Sequence, residues 1–237
     1  MYVSYGPVVM HSFRFAIIAA TFALLGWCGD NPAKSPTVGV FLQFDNNPGV
    51  APLRVMEREV EELLKPSGVA VDWRLLKDNH GDEPASAVIV MKFKGKCRVE
   101  TVPELESDIE MTPGERTLAS TALEHGHVLP FSQVQCNEIR NALSYLRPWA
   151  DGRERQNAMG LALGRVVAHE LYHILARTTT HAAHGLAQAS QSLKDLVSIS
   201  GMTFGEDDLK AIREGVSGER GLPQNIAWPQ MHTDAHR

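Results

Sequence analysis

The chain has 237 residues, of which 43% are hydrophobic and 22% charged, with a formal net charge of −5. That length leaves room for one domain with a real core, and the composition is that of a folded soluble protein. The mild acidity excludes the basic footprint that nucleic acid or an anionic membrane would require, so neither is expected as a partner.

Residues 15–25 (FAIIAATFALL) form an uncharged apolar run directly after Arg14. About eleven apolar residues are too few for a comfortable membrane span and suit the hydrophobic region of a signal peptide. A buried helix of the mature fold is the competing reading. Residues 1–9 carry no charge and are unlike the start of a signal, whereas Met10-His11-Ser12-Phe13-Arg14 resembles one, which makes Met10 a candidate start. A signal peptide over 1–28 implies a secreted or periplasmic protein. Cys28 stands where a lipid-acceptor cysteine would stand, but bulky Trp27 precedes it where such signals take a small residue. A lipid anchor at Cys28 is therefore the less favoured alternative. Once residues 1–28 are set aside, Cys97 and Cys136 remain as an even pair in an oxidising compartment. A disulfide between them is expected in preference to two buried thiols. No Cys-x-x-Cys occurs, so nothing suggests a thiolate metal site or a redox dithiol.

In chain order, residues 38–44 (VGVFLQF) read as a strand and 45–49 as a turn. Residues 52–65 carry apolar positions at Leu53, Val55, Met56, Val60, Leu63 and Leu64 with charges between them. That is an amphipathic helix, closed by Pro66-Ser67-Gly68. Strands are predicted over 69–76 and 87–93, with a polar loop over 78–83 between them. Residues 98–116 are acidic and Pro-containing, an expected surface excursion. A strand and turn follow over 118–131, with His125-Gly126-His127 at the turn, then a helix over 134–145. Residues 154–176 give the longest helix, apolar on most sides and so expected in the core. A polar Ala/Gln/Ser segment leads to a last amphipathic helix over 206–214, and the tail 215–237 is expected to be flexible. The order implies one α/β (α+β) domain over 29–214, a small mixed sheet packed on the long helix. A monomer is expected.

The chemistry is concentrated in His169-Glu170-Leu171-Tyr172-His173, inside that long helix. Histidines at i and i+4 project from one face a turn apart, so both reach one cation. Imidazole nitrogens suit Zn²⁺. Glu170 is rotated by about 100° from His169, badly placed as a ligand but able to reach a metal-activated water as general base. Two partly buried histidines bonded to backbone or carboxylate are the bland alternative. A catalytic zinc takes three protein ligands. Downstream, His181 follows His173 after seven residues and His184 comes three later, just before Gly185.

Here the sequence resembles the zincin metallopeptidases. It departs from the elongated metzincin signature HExxHxxGxxH, holding Ala176 at the glycine position and Thr179 at the third histidine. It is more similar to small secreted bacterial metallopeptidase-like proteins with HExxH, seven residues, His, three residues, then Gly and an apolar residue. In this chain those are His169, Glu170, His173, His181 and Gly185-Leu186, and the resemblance spans about 118–213. Ala187 occupies a position where such relatives often carry Met; Met202 is a candidate to replace it. The resemblance implies zinc, a zincin-like fold and hydrolysis of peptide bonds in a peptide or protein substrate. His181 is favoured as third ligand over His184, with Asp195 or Glu206 from a later helix as a further alternative. Tyr172 is expected to pack, His125 and His127 to sit in a turn, and His232 and His236 to face solvent. The competing function is a non-catalytic exported metal-binding or interaction domain on the same scaffold, which would not need the carboxylate of Glu170.

Overall fold

Strand β1 (Thr37–Phe44) turns Val38, Val40 and Leu42 to one face, and all three are buried. The computed structural model describes residues 35–78, 88–99, 117–146, 151–198 and 202–218. Helix α1 (Val50–Leu64) follows and lays Met56, Val60, Leu63 and Leu64 on that face. A single 3₁₀ turn, Lys65–Ser67, closes it at Gly68, whose φ of 74° is the left-handed conformation that glycine tolerates. The chain returns as β2 (Ala70–Leu75), parallel to β1, and later as β3 (Val88–Lys94), parallel on β1's other side. A hairpin, β4 (Ala119–Glu124) and β5 (His127–Gln135), completes the sheet in the order β2-β1-β3-β5-β4, with only β4 antiparallel.

Period-two alternation carries one apolar face across the strands. Val40 pairs with Ile89, Leu42 with Met91, and Phe44 with Phe93, whose rings stack at 4.4 Å; Phe93 in turn pairs with Val134. Against this face pack α1 and α3 (Gly152–Ala176), with α2 (Cys136–Leu146), α4 (Leu193–Val197) and α5 (Glu206–Val216) around them. The α1–α3 crossing is close because α3 presents glycines to it. A Cβ on Gly160 would lie 2.5 Å from Val55 Cβ, and one on Gly164 would lie 2.7 Å from Glu59 Cβ. Each glycine within a helix costs about 1 kcal/mol against alanine, here offset by the tight packing it allows. One cation is buried at this crossing: Arg165, 2% exposed, gives Nε to Glu59 (2.9 Å), Nη1 to the Asp195 carbonyl (2.5 Å) and Nη2 to the Ser198 carbonyl (2.7 Å). A buried guanidinium requires this saturation, since an unpaired one would be prohibitively desolvated. Cys97, just past β3, is disulfide-bonded to Cys136 at the start of α2, both wholly buried.

The α+β architecture matches the expectation from sequence, with three differences. The region 118–131 is two strands, and the second continues to Gln135, so the helix expected from Val134 begins at Cys136. Val134 is held in the sheet by its pairing with Phe93 and by inward alternation with Ser132. The short α4 lies in a segment with no apolar period of its own. Gly215 and Val216, expected in the flexible tail, belong to α5: Gly215 is buried where any Cβ would overlap the Leu175 carbonyl. The segment 1–28, Cys28, most of the acidic stretch 98–116, His232 and His236 lie outside the described residues. Among the described residues no helix is long and apolar enough to cross a membrane.

Candidate metal centre

Helix α3 starts at Asp151, whose side chain accepts the Glu154 N–H at 2.7 Å, and carries His169, Glu170 and His173 in its inner half. His169 Nδ1 lies 2.8 Å from the Leu186 carbonyl, and His173 Nδ1 lies 2.7 Å from the Thr178 carbonyl. A carbonyl oxygen only accepts, so each Nδ1 carries the hydrogen and each Nε2 presents a lone pair. Those two Nε2 atoms face each other at 3.1 Å. Two lone pairs cannot bond to one another, but they can share a cation. Nitrogens about 2.0–2.1 Å from a tetrahedral zinc would stand about 3.3 Å apart, close to the observed spacing. Carbonyl support on the far nitrogen is also the usual way a protein orients a ligating imidazole.

The third ring is His181. It stacks against His169 at 5.3 Å between centroids and meets His173 edge-on at 4.7 Å. One ligand atom from each of the three rings lies within 4.8 Å of the others. Burial pushes the pKa of both His169 and His173 below the ordinary imidazole value, and the neighbouring His181 adds to the effect. Neutral rings at neutral pH are what a metal requires. The donor set therefore fits zinc.

The chain returns His181 by a route different from the metzincin one. Ala176 remains helical, and Arg177 takes the left-handed conformation (φ 53°, ψ 45°), its N–H reaching back to the His173 and Ile174 carbonyls. The Thr178 N–H also reaches the His173 carbonyl, at 3.1 Å. Beyond His181 the Ala182 N–H bonds to the Ala187 carbonyl at 2.9 Å, and Gly185 (φ 78°) makes a tight turn whose Leu186 N–H bonds to the Thr203 carbonyl at 2.9 Å. A Cβ on Gly185 would stand 2.6 Å from that Thr203 oxygen. Leu186 and Ala187 are wholly buried. The Leu186 carbonyl thus fixed serves both His169 and, at 2.7 Å, Gln191 Nε2. Met202 packs partly buried against the core beside Thr203.

Glu170 is 5% exposed. Burial raises its pKa above the usual carboxylate value, opposed by a hydrogen bond from Thr121 and by the His173 and His181 charges. Thr121 Oγ1 donates to Glu170 Oε2 at 2.5 Å and lies 2.6 Å from Ser132 Oγ. A buried carboxylate beside three imidazoles has the location and basicity of a general base.

The remaining candidates fall away from this cluster. His184 is exposed and is not among the three converging rings. Asp195 accepts from Ser192 Oγ at 2.6 Å within the first turn of α4, and Glu206 stands exposed in the first turn of α5. Tyr172 is 6% exposed and packs between His173 and Phe204, with ring centroids 5.4 and 5.8 Å away. His125 and His127 are exposed at the β4–β5 turn. Sequence reasoning missed Thr121 and Ser132: alternation could place each on the helix side of its strand, but not opposite Glu170. No protein-family model matches the chain, and no curated protein matches it.

Proposed function

We propose that this chain is an extracytoplasmic zinc-dependent metallopeptidase, with His169, His173 and His181 as metal ligands and Glu170 as general base. The observation that carries the reading is the convergence of two carbonyl-anchored Nε2 lone pairs and a third imidazole beside one buried carboxylate. Zinc held there supplies Lewis acidity, polarising a carbonyl and making a water molecule acidic near neutral pH. Glu170 accepts a proton from water as it attacks the scissile carbonyl, then delivers it to the departing amine nitrogen. Burial raises its carboxyl above the usual carboxylate value, which favours accepting that proton.

The edge of the sheet favours a peptide substrate. The Gln135 N–H bonds to the Leu118 carbonyl, so the pair Ser120–Gln133, two residues along, belongs to the same hydrogen-bonded set. Ala119 and Thr121 then direct their backbone N–H and C=O to the outer edge of β4. Among the described residues no strand pairs with that edge. An extended peptide can add to it as a further strand, next to the residue that touches Glu170. The buried disulfide and the apolar run 15–25 support an extracytoplasmic location.

The test compares wild type with Glu170→Gln and His169→Ala for zinc content and for cleavage of a mixed peptide library. Wild type should hold about one zinc and cleave. Glu170→Gln should hold zinc and lose about 10²–10⁴-fold in rate, and His169→Ala should lose the metal. Wild type that holds zinc and cleaves nothing would instead favour the non-catalytic metal-binding domain.

A further inference from the structure

Glu170 projects from a helix, yet the hydroxyl that holds it comes from the sheet. Thr121 on β4 and Ser132 on β5 are cross-strand partners in a non-hydrogen-bonded pair, the class in which side chains approach most closely. Both point to the helix-bearing face. Regular pairing stops immediately after Thr121, where the register shifts before Leu123. An irregularity of this kind, here with two more residues on β5 than on β4, locally bends the strands and re-aims the side chains beside it.

The hydrogens in this trio can be counted. An ionised carboxylate only accepts, so Thr121 must spend its single hydroxyl hydrogen on Glu170 Oε2. The 2.6 Å contact between the hydroxyls is then a bond from Ser132 Oγ–H to Thr121 Oγ1, and the Ser132 hydroxyl also lies within reach of the carboxylate. Ser132, itself 5% exposed, fixes the direction in which Thr121 donates. With Oε2 bonded to Thr121, Oε1 is the oxygen left for proton transfer on the metallopeptidase reading. Thr121 is also the residue whose backbone groups reach the outer edge of β4, so one residue borders both the base and the place where a peptide strand would lie.

We infer that Thr121 and Ser132 are positioning residues for Glu170: a two-hydroxyl brace that sets which carboxylate oxygen does the proton transfer. The inference rests on the metallopeptidase reading for what Glu170 does, but the brace has a readout that needs no substrate. A hydroxamate chelates the metal and donates a hydrogen bond to the adjacent carboxylate, so its affinity reports the orientation of Glu170.

The experiment uses the full chain as wild type, Thr121→Val, Thr121→Ser and Ser132→Ala. Each is measured for zinc content, thermal midpoint, kcat and KM on the fastest-cleaved peptide of a library, and acetohydroxamate affinity in the cobalt-substituted form. Valine matches threonine in shape without the hydroxyl. Thr121→Val should keep its zinc, lose about tenfold or more in kcat with KM within about twofold, and bind acetohydroxamate more weakly by a similar factor, as expected for a lost bond to a charged group. Thr121→Ser should recover to within about threefold, and Ser132→Ala should fall between. Wild-type kcat and acetohydroxamate affinity in Thr121→Val would overturn the inference. So would a serine variant as impaired as the valine one, because that points to methyl packing. Should the valine variant fail to fold, Ser132→Ala decides by the same readouts: a fall in them supports the brace, wild-type values refute it. If wild type cleaves no peptide, the metallopeptidase reading fails, while the acetohydroxamate comparison still decides the brace.

Discussion

His169 and His173 face each other through their Nε2 atoms at 3.1 Å while the Leu186 and Thr178 carbonyls hold their far nitrogens. The arrangement predetermines both tautomer and ring direction, so metal binding requires little reordering of the helix. His181 differs: it is exposed, on a loop, and reaches the pair through ring contacts with both. Removing it should cost affinity without disturbing the fold. His181→Ala is expected to weaken zinc binding by more than about 100-fold, the upper end of what losing even a supporting partner of a ligand costs. His184→Ala should leave affinity at the wild-type value. Competition with a chromophoric zinc chelator measures both, and the reverse order would reassign the third ligand.

Glu170 provides a test through stability. Its pKa is raised in the folded chain, chiefly by burial. A raised carboxylate stabilises the fold only while protonated: that contribution is present below the unfolded pKa of about 4.3 and is lost as pH rises through the higher folded value. Glutamine mimics the neutral form at every pH. Metal-free Glu170→Gln should therefore melt above metal-free wild type at pH 7 to 8, and the gap should close on acidification towards about pH 4. Calorimetry in the presence of a chelator checks this. A variant that melts below wild type at pH 8 would show that the Thr121 hydrogen bond outweighs desolvation.

The Cys97–Cys136 bridge spans a sequence separation of 39 residues. In the loop-entropy account a closure of that length stabilises by about 4 kcal/mol. The double variant Cys97→Ala, Cys136→Ala should lose about that much in denaturant unfolding. Its zinc affinity should be unchanged below the transition, since neither cysteine belongs to the cluster of possible ligands. Loss of zinc from the folded double variant would show that α2 helps hold the site.

A pair of glycines separates backbone strain from site geometry. Gly185→Ala puts a Cβ against the Thr203 carbonyl at a φ of 78°, directly before the Leu186 carbonyl that anchors His169. Gly126→Ala meets a similar φ of 81° with nothing within 4 Å. Both should lose about 1–2 kcal/mol of stability to the left-handed backbone, and Gly185→Ala more, for its overlap with the Thr203 carbonyl. Only Gly185→Ala should also lose zinc affinity, by about 10–100-fold. Equal zinc affinity in the two would mean that Leu186 does not position His169.

Much of this was legible in the residues. The apolar girth of 154–176 marked α3 as a core helix, and the i, i+4 histidines with Glu170 marked its inner face. The even cysteine pair anticipated the bridge, and spacing placed His181 within return distance. What was hidden depends on partners that no local pattern names. The anchors of His169 and His173 are backbone carbonyls, which any residue supplies. Thr121 and Ser132 are ordinary strand residues until the β4–β5 register sets them side by side. The turn after α3 is made by Arg177 in a conformation that sequence assigns to glycine. The period around Val134 is ambiguous over so short a run, and strand pairing with Phe93 decides it.

Arg165 also sets an order of events during synthesis. Glu59 is 106 residues ahead of it, whereas the Asp195 and Ser198 carbonyls follow by 30 and 33. While a chain emerges from the ribosome, the guanidinium has one of its partners long before the other two exist, and water must serve in their place. Helix α3 therefore cannot seat itself fully until residues near 198 have been made, and the Leu186 anchor waits for Thr203 just beyond them. On the metal-binding reading, zinc should be acquired late, and a chain truncated after residue 190 should carry both histidines on α3 without holding zinc tightly.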